Sequence, residues 1–313
     1  MRIIVDTDAG TDDFLAIAYL LSLPGVRIEA ITVVHGLAHV EPGARNLRRL
    51  LKLAGREDIP VFEGEEYPLR TSHTFPAAWR KMTDELGAVS MPPVSDSRPP
   101  ENAVAFLKRR LMDRHDPATI LALGPLTNLA LASGQAAQPA VRQIVTMGGA
   151  VEVPGNLFDG NPGGANGVAE WNIYCDPDAA ARVFALPVPQ VMIGLDATNR
   201  VPIGASDVRN FSGRELSTLG RLAADVLGAT LHLIMSGLYY AWDPLAAMAL
   251  VDPSVVEVKG ADIEVVTEGR EIGRTALLRW NPMSHFKVAV DADAGRFRSE
   301  FERTFEKQPG PRR

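Results

Sequence analysis

Only one cysteine, Cys175, occurs in the 313 residues, so no internal disulfide can form. No partner suggests an activated thiol, and packing is its expected role. Positive charge is also in short supply. The 32 basic residues against 38 acidic ones leave a formal charge of −6, with no basic run. Neither nucleic acid nor an anionic membrane is therefore an expected partner. No apolar stretch reaches the length of a bilayer span, and the sequence opens on a strand pattern without a signal peptide. A cytoplasmic protein is expected. Several catalytic signatures are missing: His-Glu-x-x-His, a Walker loop, Gly-x-Ser-x-Gly, and G-x-G-x-x-G after a strand. The six histidines are scattered, with His35 and His39 flanking a strand end.

What the sequence does have is acid concentrated at its start. Ile3, Ile4 and Val5 form a short apolar run, and Asp6, Asp8, Asp12 and Asp13 follow within eight residues. The run reads as a buried parallel strand. Gly10 supplies a turn, and Thr11 or Asp12 is expected to cap a helix over residues 14–22. A helix cap needs one carboxylate, whereas four at one place repel unless a cation or shared protons offset them. Oxygen ligands of this kind suit a hard cation, Ca²⁺ or Mg²⁺.

Hydrophobic residues make up 46%, enough for a large core. Strand patterns at 26–34, 61–62, 118–123, 143–147 and 189–193 alternate with helical patterns at 42–54, 102–114, after Pro125, after Asp176 and over 212–238. That alternation predicts βαβ units and a parallel sheet. A helix follows Trp242-Asp243-Pro244, with Asp243 a candidate N-cap. Later strands are expected at 256–266, 274–278 and 285–290. Ser299 is expected to cap a last helix over 300–307, before a disordered tail at 308–313. Residues 67–100 hold several prolines and read as a long irregular segment, which in a compact fold is functional or mobile. No repeat or linker interrupts the chain, so one domain over 1–313 is expected.

Beyond the acidic start, polar residues recur at predicted strand ends: Thr127-Asn128, Met147-Gly148-Gly149 and Asn172. Open α/β sheets place their ligands at those ends. The segment Asp6-Thr7-Asp8-Ala9-Gly10-Thr11-Asp12-Asp13 resembles the N-terminal fingerprint of the nucleoside hydrolases, Asp-x-Asp-x-Gly-x-Asp-Asp. The likeness continues, in the family's order, through Gly124-Pro125-Leu126-Thr127-Asn128, Met147-Gly148-Gly149, Gly155-Asn156, Ala169-Glu170-Trp171-Asn172-Ile173-Tyr174, Asp176-Pro177 and Trp242-Asp243. It implies a Rossmann-like α/β domain with a mainly parallel sheet flanked by helices, and hydrolysis of a nucleoside to base and ribose. It also implies Ca²⁺ held by Asp8, Asp13 and Asp243 through carboxylates and by Thr127 through its carbonyl. Asp8 would be the general base. Asp12, Asn156, Glu170 and Asn172 would bind ribose hydroxyls, Met147 would lie beneath the sugar, and Asp6 would support the site. Homo-oligomers, dimers or tetramers, are usual in the family.

The chain departs from the family pattern in places. Gly36-Leu37 stands where many members have Gly-Asn, and His73-Thr74-Phe75-Pro76 where a His-Gly segment is usual. Trp242 replaces a histidine that serves as leaving-group acid in pyrimidine-cleaving and nonspecific members. Trp242 with Trp79 resembles the purine-specific branch, in which two tryptophans sandwich the base. Asn156 is further from Glu170 than usual, so Asn161 and Asn166 are alternative ribose contacts. Two rival readings remain open: a non-catalytic, calcium-dependent nucleoside or sugar binder, and a haloacid-dehalogenase-like phosphatase. The second lacks the threonine expected at the position of Gly10.

Overall fold

The computed structural model describes residues 1–86, 89–95, 98–134, 139–157 and 166–307. In chain order the elements are β1 (Arg2–Thr7), α1 (Thr11–Ser22), β2 (Arg27–Val33), α2 (Val40–Leu53), β3 (Val61–Glu63), α3 (Ala77–Glu85) and α4 (Ala103–Leu111). Then come β4 (Ala118–Ala122), α5 (Thr127–Ser133), β5 (Val141–Met147), α6 (Trp171–Cys175), α7 (Pro177–Phe184), β6 (Gln190–Ile193), α8 (Leu195–Thr198) and α9 (Ala205–Ser212). The chain closes with α10 (Thr218–Ala229), α11 (Leu231–Met235), α12 (Trp242–Val251), β7 (Val256–Val265), β8 (Thr275–Trp280), β9 (Phe286–Ala292) and α13 (Ala294–Phe305).

The strands form one sheet in the order β3-β2-β1-β4-β5-β6-β9-β7-β8. Pairing is parallel from β3 to β9, and β7 is antiparallel to both β9 and β8. This is the expected mainly parallel α/β architecture. Strand residues alternate between two cores, one on each face. Ile3, Val5, Ile31, Leu121 and Val145 pack with α1, α10 and α12 on one face. Ile4, Ala30, Ile120 and Ile144 pack with α4, α5 and α7 on the other. Both faces are thus covered, which is why the strands read as unbroken apolar runs.

After β3 the chain returns to lay β4 on the opposite side of β1, so connections leave β1 and β4 in opposite directions. A crevice opens at such a switch point, outside the carboxyl ends of the strands. β1 delivers the four aspartates there.

Several local expectations are corrected. The cap of α1 is Gly10, with Asp13 accepting from its N–H at 2.8 Å, so neither Thr11 nor Asp12 caps it. Asp243 lies inside the first turn of α12, whose N-cap is Ala241. The last helix begins at Ala294, capped by Asp293 accepting from Arg296 N–H at 2.9 Å; Ser299 lies within it. The segment 67–100 is not irregular throughout, since it contains α3. The tail at 308–313 lies outside the described residues.

Candidate active site

At the end of β1 the chain makes a turn in which Ala9 takes a left-handed conformation, φ 57°. A side chain there costs energy that neighbouring contacts must offset. Ala9 N–H donates to Thr7 Oγ1 at 3.0 Å, and the Thr7 hydroxyl donates to Asp13 Oδ1. The turn aims Asp8 between two glycines. A β-carbon on Gly36 would lie 2.1 Å from Asp8 Oδ2, and one on Gly124 would lie 2.8 Å from Asp8 Cβ. Only glycine fits at either place. Leu37 N–H donates to Asp8 Oδ2 at 2.7 Å.

Asp243 reaches the same point from α12, which packs along α1. Carboxylate oxygens of Asp12, Asp13 and Asp243 lie within 4.8 Å of one another. Asp243 Oδ1 is buried with no hydrogen-bond partner, as is Asp6 Oδ2. Burial pushes every one of these acids upward, and for all but Asp8 the charge of neighbouring carboxylates adds to it. Burial and then Asp8's charge raise Asp12 to about 7, and burial raises Asp8 to about 6, the Arg80 guanidinium offsetting part of that. Burial and then the charge of Asp8 lift Asp13 well above the usual range; for Asp243 it is burial and then the charge of Asp13. Carboxylates crowded in this way, one with an orphaned buried oxygen, are chemically suited to a hard divalent cation.

Of the remaining expected residues, Thr127 follows β4, and Met147, Asn156, Glu170 and Asn172 lie at the end of β5 and in the connection after it. Thr127 opens α5 and is fully buried. Its hydroxyl does not cap the helix; it donates to Asp176 Oδ2 at 2.7 Å. Glu170, expected as a ribose contact, is buried and caps α6. Its Oε2 accepts from Gly149, Asn172 and Ile173 N–H, and its Oε1 from Asn172 N–H at 3.1 Å. Burial still raises Glu170 to about 7. Asn172 spends its NH₂ on the Leu123 and Met147 carbonyls, at 2.9 and 3.2 Å, which leaves its amide oxygen as acceptor. Met147 packs beside it, Sδ 3.6 Å from Asn172 Nδ2.

Asn156 accepts Trp171 N–H at 3.1 Å through Oδ1, leaving its NH₂ as donor next to Glu170. Asn166 is committed elsewhere, donating to the Ile272 carbonyl at 2.6 Å, and Asn161 lies outside the described residues. Trp79 and Trp242 fall in separate aromatic groups. Trp79 meets Trp171 edge-on at 5.8 Å, and Trp171 stacks on Phe75 at 4.7 Å. Trp242 packs edge-on against Tyr239 at 5.3 Å, its indole N–H buried and unpartnered. Leu37 and Cys175 belong to the Trp79 group, so the usual asparagine has been exchanged for part of an apolar wall.

The segment before Trp79 is fastened to α6 and the residue after it. Leu69 N–H donates to Asp176 Oδ2, the Thr71 hydroxyl to the Cys175 carbonyl and His73 Nδ1 to the Tyr174 carbonyl, each at 2.9 Å. His35 and His39 diverge. His35 is buried with Nε2 2.8 Å from Thr127 Oγ1, and burial lowers it to about 3, so it is neutral. His39 pairs with Asp84 at the surface side.

Asn128, which the sequence places at a strand end, and Thr32, which it does not single out, both hold Asp6. Asn128 donates to Asp6 Oδ1 at 2.9 Å and accepts Glu65 N–H at 3.0 Å, while Thr32 donates to Asp6 Oδ1 at 2.6 Å. Thr32, a polar residue in the fully buried second half of β2, was the available hint.

A family model described as inosine-uridine preferring nucleoside hydrolase matches residues 3–299. Uridine nucleosidase 1 of Arabidopsis thaliana is 33% identical over 290 residues, covering 90% of this chain and 84% of that one. The pyrimidine-specific ribonucleoside hydrolase RihA of Salmonella paratyphi B is 31% identical over 286 residues, 86% of each chain. Among solved structures, a purine-preferring ribonucleoside hydrolase from Gardnerella vaginalis superposes with a TM-score of 0.82 at 28% identity, over 97% of this chain and 98% of that one. A plant nucleoside hydrolase gives 0.82 at 30% identity with the same coverage. Among the described residues, no helix is long and apolar enough to cross a membrane.

Proposed function

Since this chain belongs to the nucleoside hydrolase family, enzymes that act on N-glycosyl bonds, we propose that it is a calcium-dependent ribonucleoside hydrolase with a preference for purines. The observation that carries the metal is the cluster of half-buried Asp12 with buried Asp13 and Asp243, and its orphaned Asp243 oxygen. Asp8, Asp13, Asp243 and the Thr127 carbonyl are the assigned ligands. So many ligands from the protein itself favour Ca²⁺ over Mg²⁺, which keeps several of its waters. Bound there, calcium would supply the Lewis acidity that lowers the pKa of a water.

The side chains supply the rest. Leu37 N–H holds Asp8 Oδ2 and fixes the carboxylate that takes the water's proton. Asn172 offers an acceptor and Asn156 a donor to the ribose hydroxyls; Glu170 Oε1 keeps acceptor capacity beside its backbone bond, and Asp12 completes the set. Met147 forms the floor. As the bond to the base stretches, positive charge develops on the sugar, and the fixed carboxylates stabilise it.

Purine preference rests on Trp242 next to Asp243 and on the Phe75–Trp79–Trp171 wall, because aromatic faces favour a purine ring that solvent has protonated, which then departs neutral with the bonding electron pair. The names of the uridine-cleaving relatives favour the opposite preference. Ribose release from inosine and from uridine, with and without Ca²⁺, decides between them. Faster uridine turnover overturns the purine reading, and no ribose from either nucleoside leaves the non-catalytic binder. The phosphatase reading ends with the family assignment.

A further inference from the structure

Thr127 and Asn128 are the two residues whose side chains flank a single peptide group, and that group carries the carbonyl assigned to calcium. Both side chains are fully buried. The Thr127 hydroxyl donates to Asp176 Oδ2 at 2.7 Å, so it must accept from His35, whose Nε2 is 2.8 Å away. This fixes the imidazole as the Nε2–H tautomer and uses the hydroxyl's only hydrogen. Asn128 is held as firmly: Nδ2 donates to Asp6 Oδ1 and to the Val33 carbonyl, and Oδ1 accepts Glu65 N–H. Gly64 is what lets this amide lie against the backbone, since a β-carbon there would come within 2.3 Å of Asn128 Oδ1.

We propose that His35, Asp176 and Asp6 are positioning residues: two buried hydrogen-bond chains, His35–Thr127–Asp176 and Asp6–Asn128–Glu65, clamp the 127–128 peptide from its two ends and set the Thr127 carbonyl before the ion arrives. This rests on the calcium reading above. A carbonyl free to swing pays the cost of ordering at the moment of binding, whereas a clamped one does not. The clamp's anchors come from different parts of the sheet: His35 follows β2, Asp6 is in β1, and Asp176 caps α7. Local helix geometry alone does not hold the ligand. The side chains hold it against three neighbouring elements, in the way that partners behind metal ligands orient them elsewhere.

The test compares Thr127→Val, which keeps the shape and removes the hydroxyl, with Thr127→Ser, which keeps the hydroxyl. Each chelator-stripped protein is titrated with CaCl₂ in a calorimeter, and its metal-free melting temperature is measured in parallel. Thr127→Val is expected to weaken Ca²⁺ by roughly 10- to 100-fold, with Thr127→Ser within about threefold of the parent. His35→Phe against His35→Gln repeats the comparison from the other end of the chain, should Thr127→Val fail to fold. Equal affinity in the paired variants, whatever their melting temperatures, overturns the clamp. A parent protein that draws no heat from millimolar-range calcium overturns the calcium reading itself, an outcome distinct from equal binding.

Discussion

Replacing Asp8 with asparagine should stabilise the protein when no divalent ion is present. Burial lifts Asp8 from 3.8 to about 6. Ionised at about pH 8, it therefore costs the folded state up to about 3 kcal/mol relative to the unfolded chain. The Asn carbonyl can keep the Leu37 N–H bond, and its NH₂ can donate toward Asp13, whose own repulsion is relieved. For a chain of this length about 3 kcal/mol corresponds to a rise of about 4 °C in Tm. At about pH 4 the parent carboxyl is protonated in the fold, and the difference should vanish. Calcium should reverse the order. At about a thousandfold excess over Kd a ligand adds about 4 kcal/mol. The parent gains it, whereas Asp8→Asn has lost a ligand and the proposed base, and with it roughly 10² to 10⁴ in turnover. Thermal melts in chelator and in calcium, at both pH values, provide the check. If Asp8→Asn melts below the parent in chelator at about pH 8, the buried Asp8 charge is not a cost to the metal-free fold and the case for a cation fails.

The same acids make the metal-free parent sensitive to pH. Asp6, Asp12 and Glu170 stand at about 7 when folded, above their ordinary values, so their contribution is fully present below about pH 4 and is lost as pH rises through about 7. Melts in chelator should fall across that window and flatten with calcium; a rising Tm there refutes the assignment. Gly36→Ala puts a methyl 2.1 Å from Asp8 Oδ2 and should cut kcat by about 100-fold through displacement of Asp8. Steady-state kinetics giving a kcat within about threefold of the parent would show that Asp8 tolerates the shift.

The sheet was legible because its strands are short apolar runs separated by helical stretches, and the acids at the end of β1 because charge so concentrated has few structural uses. Elsewhere, local reading missed what tertiary contact decides. Thr127 looks like a helix cap, but a carboxylate 49 residues away takes its hydrogen. Glu170 is expected as a ribose contact, and nothing local shows that backbone N–H groups from Gly149 and from the start of α6 also surround it. Asp12 and Ser299 have the chemistry of caps, but Gly10 and Asp293 occupy the boundaries. The proline-rich stretch hid α3 because its helix starts without a side-chain cap. Gly64 announces nothing alone, since its fit to Asn128 exists only once the residue after β3 lies against the start of α5.

Asp176 joins two tasks that a designer would keep apart. Its Oδ2 accepts both the Thr127 hydroxyl and Leu69 N–H, while Oδ1 accepts Ala179 N–H. The strap that leads to the aromatic wall and the residue proposed to face the ion thus hang from one atom. On the proposed reading, a substitution in the strap that changes which nucleobase is accepted is expected to retune the grip on the metal as well.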